Sequence, residues 1–140
     1  MLQIDANSEF GARVARRLAS EPIIWLTTVG ADLTPQPVPV WFWWDGQTAL
    51  IYSKPGTPKL RNIARSPRVA LHFNNNDDGG DIVVFAGTAQ IDQGAPALSE
   101  VAAYIEKYAA RIARMGQTTA YFAQEYSVAI HVTPTGLRGF

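Results

Sequence analysis

Five basic side chains are concentrated in one stretch of the chain that contains no acidic residue. The stretch comprises residues 46–76, between two aspartates. Its basic residues are Lys54, Lys59, Arg61, Arg65 and Arg68. This local excess of positive charge is notable because the charges of the 12 basic and 12 acidic residues of the whole chain cancel. Such a cluster is either a solvated helix face or the binding site of an anion.

The local pattern around these cations favours a phosphate group as the anion. Thr57 is a predicted N-cap, and Pro58 is the first residue of a predicted short helix that ends before Pro67. Lys59 then lies in the first turn, where the helix dipole disfavours a cation unless an anion is bound. Free N–H groups at a helix start, with the hydroxyls of Ser53 and Thr57, suit phosphate oxygens. The stretch lacks the GK[ST] ending of a Walker motif, so triphosphate hydrolysis is not predicted.

The strand that precedes this stretch is apolar on both faces. The alternation of side chains in PQPVPVWFWWDG places four residues on one face of the strand, namely Val38, Val40, Phe42 and Trp44. The opposite face carries Pro37, Pro39, Trp41 and Trp43. One face fills the core, and the other meets a partner subunit or a flat aromatic ligand. The prolines predict an edge strand, whose carbonyls and N–H groups at Gln36, Val38 and Val40 are expected to contact the polar rim of a planar ring.

The remaining pattern predicts a mainly β (α+β) protein, with six or seven antiparallel strands in a small barrel and helices at its periphery. Strands are predicted over 23–29, 38–44, 48–54, 68–74, 82–91 and 127–137. Besides the short helix at 57–66, helices are predicted over 8–18, 96–114 and 118–124. The length of 140 residues predicts a single domain spanning 1–140.

Composition narrows the function classes. A hydrophobic content of 47% and a charged fraction of 17% are typical of a folded globular chain. A pI near 6.7 argues against nucleic acid as the partner. The chain has no cysteine, which excludes disulfides and thiol chemistry. No apolar stretch is long enough to span a bilayer or to form a signal core, so we expect a cytoplasmic protein without membrane attachment.

Residues with catalytic potential are few, and no catalytic residue is assigned. His72 and His131 lie in predicted strands and are interpreted as packed or hydrogen-bonded histidines. No metal site is predicted, because no histidine pair or acidic cluster has ligand spacing. Tyr52 either faces a cofactor or packs in the core. No Ser-His-Asp order is present, but hydride transfer between bound partners requires only proximity and orientation.

Three segments resemble the pyridoxamine 5′-phosphate oxidase-like superfamily, and within it the flavin/deazaflavin oxidoreductase B group. The most specific is KLRNIARSPRVAL, with the pattern K-x-R-N-I-x-x-x-P-R-V over 59–69. WLTTVGADLTPQPVPVWFWWDG (25–46) and HVTPTGLRG (131–139) complete a resemblance that covers nearly the whole chain. The resemblance implies an FMN-binding split β-barrel type of fold and a homodimer with two cofactor sites along the subunit interface. It further implies that the partner chain closes each site, and HFNNNDDGG (72–80) is the expected contribution.

The resemblance also implies the cofactor and the residues that hold it. The family binds FMN or coenzyme F420, a deazaflavin; the Arg-rich composition favours F420, with FMN as the alternative. The residues expected to bind the cofactor are Gln36, Val38, Pro39, Val40, Trp41, Ser53, Lys54, Thr57, Pro58, Lys59, Arg61 and Asn62. The expected function is F420-dependent hydride transfer to a small unsaturated, aromatic or quinone-like acceptor. The alternatives are an FMN-dependent reductase or oxidase and a non-catalytic F420- or haem-binding protein; pyridoxamine phosphate oxidation is not expected, because no second phosphate cluster is found.

Overall fold

The computed structural model describes residues 2–140. Within these residues the helices are α1 (Glu9–Ser20), α2 (Pro58–Arg65), α3 (Ala102–Arg114) and α4 (Thr119–Glu125). The strands are β1 (Ile24–Val29), β2 (Pro35–Val40), β3 (Trp43–Trp44), β4 (Ala49–Ser53), β5 (Arg68–His72), β6 (Val83–Asp92) and β7 (Val128–Gly139). A single 3₁₀ turn, Leu98–Glu100, precedes α3.

All seven strands belong to one antiparallel sheet. Its strand order is β2-β1-β5-β6-β7-β4-β3, and every neighbouring pair is antiparallel. The two edge strands, β2 and β3, are separated in the chain by two residues, so the sheet curls until its ends are close together. The predicted antiparallel sheet of six or seven strands with peripheral helices is confirmed.

The two faces of the sheet bury different hydrophobic clusters. The inner cluster lies inside the curl and includes Val14 of α1, Ile63 of α2 and Ile51 of β4. The outer cluster lies on the other face of β4, where Leu50 and Tyr52 pack against α3 and α4. Strand β4 is buried along its whole length because it is covered on both faces. Helices α3 and α4 are therefore fixed to the outside of the sheet.

The single strand predicted over 38–44 is wrong, because the chain bends between β2 and β3. At the bend, the N–H of Phe42 donates to the Tyr108 hydroxyl (2.8 Å), and the Phe42 carbonyl accepts from Lys107 Nζ (2.7 Å). The same hydroxyl lies 2.9 Å from the Phe42 carbonyl and 2.8 Å from the Pro22 carbonyl. These contacts satisfy backbone groups that a continuous strand would have paired with a neighbour. The predicted division of faces nevertheless holds, since Phe42 is fully buried in the inner cluster and Trp41 packs on the outer one.

Strand β2 is an edge strand, as its three prolines predicted. Its one partner is β1, with Thr27 opposite Pro37 and Trp25 opposite Pro39. Because prolines cannot donate, the β2 donors to this pairing are the intervening residues Gln36, Val38 and Val40. The expectation that these N–H groups contact a ligand is therefore wrong. The open edge presents the proline carbonyls, which can only accept hydrogen bonds.

The helix predicted over 96–114 begins later than expected. The 3₁₀ turn Leu98–Glu100 is followed by Val101 in an extended conformation, and α3 starts at Ala102. Two contacts hold the preceding segment in place: Leu98 is fully buried, and the Tyr52 hydroxyl donates to the Pro96 carbonyl (2.8 Å). The tertiary contacts of this segment override its helical periodicity.

Lys107 gives the fold a defined pH response. Its side chain is partly buried with Nζ 3.6 Å from the centroid of the Phe42 ring, and burial lowers the pKa of Lys107 to about 8, opposed by the charge of Glu21. Between pH 8 and its ordinary value of 10.5, the unfolded chain binds more protons than the folded one. The free energy of unfolding therefore rises with pH in that window.

We predict that Lys107→Met abolishes this rise. After allowance for solvent screening, the wild-type free energy of unfolding should gain about 1–2 kcal/mol relative to the variant between pH 8 and 10. Urea unfolding of both proteins at half-unit pH intervals measures the difference. Parallel pH profiles for the two proteins would show that burial in the folded protein does not lower the pKa of the Lys107 ammonium group.

Candidate functional site

A cleft lies between the β2 end of the sheet and the outer helices. It has a volume of about 480 Å³, within the usual range for a small-molecule site. Pro39, Val40 and Trp41 form one side, at the bend that follows β2. The opposite side comes from α3, α4 and the loop between them, through Tyr104, Met115, Gln117, Tyr121, Phe122, Glu125 and Tyr126.

Stacked aromatic rings form much of the cleft wall. Trp41 stacks on Tyr108 at a centroid distance of 4.5 Å and lies 5.2 Å from Phe122, nearly parallel to both rings. Phe122 in turn stacks on Tyr126 at 4.3 Å. Flat, rigid and apolar surfaces of this kind favour a planar aromatic ligand.

Two lysines supply positive charge to the cleft. Lys54 and Lys59 both line it, and Lys54 Nζ lies 5.5 Å from the centroid of the Tyr126 ring. Lys59 is partly buried in the first turn of α2, and burial lowers the pKa of its ammonium group. A bound anion would offset that desolvation.

None of the five cations in 46–76 forms an ion pair within residues 2–140. Arg61 Nη1 donates to the Gly56 carbonyl (2.7 Å), and Arg65 Nη2 donates to Asn62 Oδ1 (2.7 Å). The first turn of α2 contains no acidic residue. These five cations therefore have no carboxylate within ion-pairing distance in the described chain, and Glu125 is the acidic residue that lines the same cleft as Lys54 and Lys59.

A smaller cleft of about 220 Å³ continues along β2 and shares Lys59 with the larger one. It is lined by Thr28, Gln36, Pro37, Val38, Pro58 and Lys59. The two clefts together bring eight of the twelve predicted cofactor-binding residues to one continuous surface. These are Gln36, Val38, Pro39, Val40, Trp41, Lys54, Pro58 and Lys59.

The other four predicted residues, Ser53, Thr57, Arg61 and Asn62, line neither cleft. Ser53 is fully buried, and its hydroxyl donates to the Lys54 carbonyl (2.7 Å) while lying 2.9 Å from the Thr57 hydroxyl. The Thr57 side chain consequently makes no capping bond to α2. These hydroxyls shape the turn that carries Lys54 and Lys59.

Asn62 connects the short helix to the edge of the sheet. Its side chain is buried, and Nδ2 donates to Thr28 Oγ1 (2.9 Å) and to Gln36 Oε1 (2.8 Å). Its oxygen accepts the bond from Arg65. All the polar atoms of the amide are thus used inside the protein, and their effect on the site is to hold Gln36 at the smaller cleft.

The side of the cleft formed by α3, α4 and the loop between them, called the helical wall below, was not predicted from the sequence. Its aromatic residues were assigned no role from the sequence, and several of them belong to the outer cluster. One available signal was the i,i+4 spacing of Tyr104 with Tyr108 and of Phe122 with Tyr126. Another is that Met115 and Tyr121 are 50% and 49% exposed, which is unusual for large apolar side chains.

Both histidines lie outside the two clefts. His72 stacks on Trp25 at 6.0 Å, and its Nδ1 lies 3.1 Å from the Phe73 carbonyl. His131 pairs with Asp92 at 3.2 Å. Within residues 2–140 no group of three or more His, Cys, Asp or Glu side chains is arranged to hold a metal ion. No helix in that range has the length and apolar character needed to cross a membrane.

One known protein family matches most of this chain. The family model described as pyridoxamine 5′-phosphate oxidase matches residues 10–139. The seven-stranded curled sheet is thus a split barrel of that family's type. No curated protein matches the sequence.

Solved structures share the fold at low sequence identity. A protein described as an F420 reductase is 24% identical, with a TM-score of 0.65 over 88% of this chain and 94% of that one. A conserved hypothetical protein from Mycobacterium tuberculosis is 24% identical, with a TM-score of 0.73 over 94% and 82%. HutZ, the haem storage protein from Vibrio cholerae, is 14% identical, with a TM-score of 0.65 over 99% and 95%. At these identities the likeness is one of fold.

The buried amide of Asn62 gives a test of this site architecture. We predict that Asn62→Ala lowers the free energy of unfolding by about 1–3 kcal/mol, because Thr28 and Gln36 lose their donor inside the protein. Urea denaturation measures the loss. Asn75→Ala is the matched control, since the Asn75 amide bonds the Asn76 carbonyl on an exposed loop, and it should change stability by under about 0.5 kcal/mol. Equal effects of the two substitutions would show that Asn62 does not support the site.

Proposed function

The chain belongs to the pyridoxamine 5′-phosphate oxidase family, and from this premise we propose that it is a coenzyme F420-dependent oxidoreductase. In this proposal it passes a hydride from the reduced deazaflavin to a small unsaturated, aromatic or quinone-like acceptor. The observation that carries the proposal is a pair of lysines, neither of which forms an ion pair within residues 2–140, at a cleft lined by stacked aromatic rings.

The lysines fit the phosphate of such a coenzyme. Lys54 and Lys59 face the same cleft from the two ends of the turn 54–59, and the N-terminus of α2 adds a partial positive charge beside them. Charge-assisted hydrogen bonds to phosphate contribute about 1.5–3 kcal/mol each. Two such bonds, with the ring contacts, suffice for micromolar binding.

The β2 edge fits the polar rim of a deazaflavin or flavin ring. This edge presents the carbonyls of Pro35, Pro37 and Pro39 and no N–H group of those residues. The pyrimidine part of both rings carries an N–H group, and the proline carbonyls of this edge can accept a hydrogen bond from it. Gln36, held by Asn62, adds a side-chain amide to the smaller cleft.

The protein's own part in the reaction is to bind and orient. When bound, reduced F420 supplies the hydride. The side chains of Trp41 and Phe122 line the cleft and would hold a flat acceptor beside the coenzyme ring, which would convert the encounter into a reaction between fixed partners. Pro39, Val40 and the helical wall displace water from the cleft, and this strengthens the attraction between the lysines and an anion.

FMN remains the alternative cofactor, because it offers the same phosphate and a similar planar ring to the same residues. The haem alternative has less support. Neither histidine of the chain lines the clefts, so this chain offers haem no imidazole ligand there. A non-catalytic carrier of F420 would use the same contacts and differs from the enzyme only in the acceptor reaction.

We also propose that the protein is a homodimer, in the cytoplasm, with each cofactor lying along the subunit interface. Two partly exposed surfaces support a second copy as the cover of the site. One is the β2 edge, where Pro35, Gln36 and Pro37 are exposed. The other is the outward face of β1 and β5, which carries the stacked Trp25 and His72. Burial of both surfaces would close the smaller cleft from solvent.

We predict that removing either cleft lysine weakens F420 binding. Lys54→Ala and Lys59→Ala should each raise the dissociation constant by roughly 10- to 150-fold, because each deletes a charge-assisted bond to phosphate. Arg68→Ala is the matched control: it removes an exposed cation of the same stretch that lines neither cleft, and it should change affinity by less than about 2-fold.

Fluorescence titration with F420 and FMN side by side measures these constants and separates the two cofactors. Preferential binding of F420 supports the proposal, and preferential binding of FMN replaces it with the flavin alternative. Equal losses in all three variants would mean that the lysines act through net charge alone, and the phosphate site would then be rejected.

A further inference from the structure

Three tyrosines pack together where α3 meets β4, and one of them differs from the other two. Tyr104 contacts Tyr52 at a centroid distance of 5.2 Å and Tyr108 at 4.8 Å. The hydroxyl of Tyr52 donates to the Pro96 carbonyl, and that of Tyr108 bonds the backbone of Phe42 and Pro22. Within residues 2–140 the Tyr104 hydroxyl has no hydrogen-bond partner.

An unpartnered hydroxyl is unusual at this depth. Tyr104 is 1% exposed, and buried tyrosine hydroxyls normally find a partner, because leaving one unpaired costs free energy. Burial raises the pKa of Tyr104, so the group stays neutral and acts as a hydrogen-bond donor at physiological pH. Within residues 2–140 the hydroxyls of Tyr52 and Tyr108 bond backbone groups and form no hydrogen bond with Tyr104.

The hydroxyl is not sealed inside the core. Tyr104 lines the larger cleft, and within residues 2–140 its hydroxyl is not among the fully enclosed polar side-chain atoms. The small accessible part of Tyr104 therefore includes its oxygen, which meets the cleft on the side of the helical wall. A ligand atom in the cleft is the available partner.

We propose that Tyr104 is a positioning and specificity residue that donates a hydrogen bond to a carbonyl oxygen of the acceptor. This rests on the proposed function and narrows its substrate class to acceptors that carry a quinone-type or enone carbonyl. When a hydride from the reduced coenzyme adds to a carbon of such an acceptor, its electron pair forms the new C–H bond. The displaced π electrons of the acceptor move to the carbonyl oxygen, which becomes negative and then takes a proton from solvent. A donor fixed beside that oxygen stabilises the charge as it develops.

Menadione and methylnaphthalene form a matched pair of probes, since they share a flat bicyclic ring and differ in the two carbonyls. Equilibrium dialysis of each, without coenzyme, compares the wild-type protein with Tyr104→Phe. We expect the variant to bind menadione about 10-fold more weakly, the loss of one hydrogen bond, and methylnaphthalene unchanged. Its denaturation midpoint should equal that of the wild type, because the missing hydroxyl had no protein partner.

Thr48→Val is the control for a hydroxyl that is already satisfied, because the Thr48 hydroxyl lies 3.0 Å from the Asp45 carboxylate and the residue lines neither cleft. It should leave the preference of the protein for menadione over methylnaphthalene unchanged. A Tyr104→Phe variant with unchanged menadione affinity, or with equal losses for both probes, overturns the proposal. So does a wild-type protein that fails to bind menadione.

Titration with F420 separates this inference from the proposed function. Unchanged F420 affinity in Tyr104→Phe supports contact with the acceptor, whereas a loss confined to F420 overturns it and assigns the hydroxyl to the coenzyme. If the wild-type protein does not bind F420 but the difference between the two probes persists, the coenzyme assignment fails and the carbonyl site stands.

Discussion

The site depends on the hydrogen bonds between the Tyr108 hydroxyl and the backbone of Phe42. They stop the first edge strand, bend the chain, and send Phe42 into the inner cluster while Trp41 turns outward. The same side chain stacks on Trp41 at 4.5 Å. One residue of α3 therefore satisfies buried backbone groups, fixes the helix to the sheet and creates the aromatic side of the cleft. Without the bend, Trp41 and Trp43 would continue a flat edge with no facing wall.

The site is built in two layers with different tasks. The surface layer consists of prolines of β2, aromatic side chains and two lysines that line the clefts. The supporting layer behind it consists of bonded polar groups, in which Asn62 holds Gln36 and the paired hydroxyls of Ser53 and Thr57 shape the turn. Because the supporting groups are satisfied internally, they fix positions without competing for a ligand. The Tyr104 hydroxyl is the exception, and it meets the cleft.

Local patterns predicted much of this arrangement. Alternation in β2, the prolines of its edge and the N-cap with proline at α2 were all readable in the sequence, and so was the acid-free stretch that carries the lysines. What failed depends on residues distant in the chain. The bend at Phe42 requires Tyr108, 66 positions later, and Gln36, Val38 and Val40 direct their N–H groups to β1. Asn62 was expected to bind the cofactor because it lies in the K-x-R-N-I motif, but its amide N–H groups donate to Thr28 and Gln36. The sequence likewise predicted peripheral helices near α3 and α4 but could not show that their aromatic residues line an open cleft.

A crystal structure of the protein with F420 bound tests the proposed coenzyme site most directly. We expect the coenzyme phosphate within hydrogen-bonding distance of Lys54 and Lys59, with the deazaflavin ring along the open edge of β2 between Gln36 and Trp41. A coenzyme phosphate bound elsewhere, or carboxylates of a second subunit paired with the two lysines in its place, would contradict the proposed site.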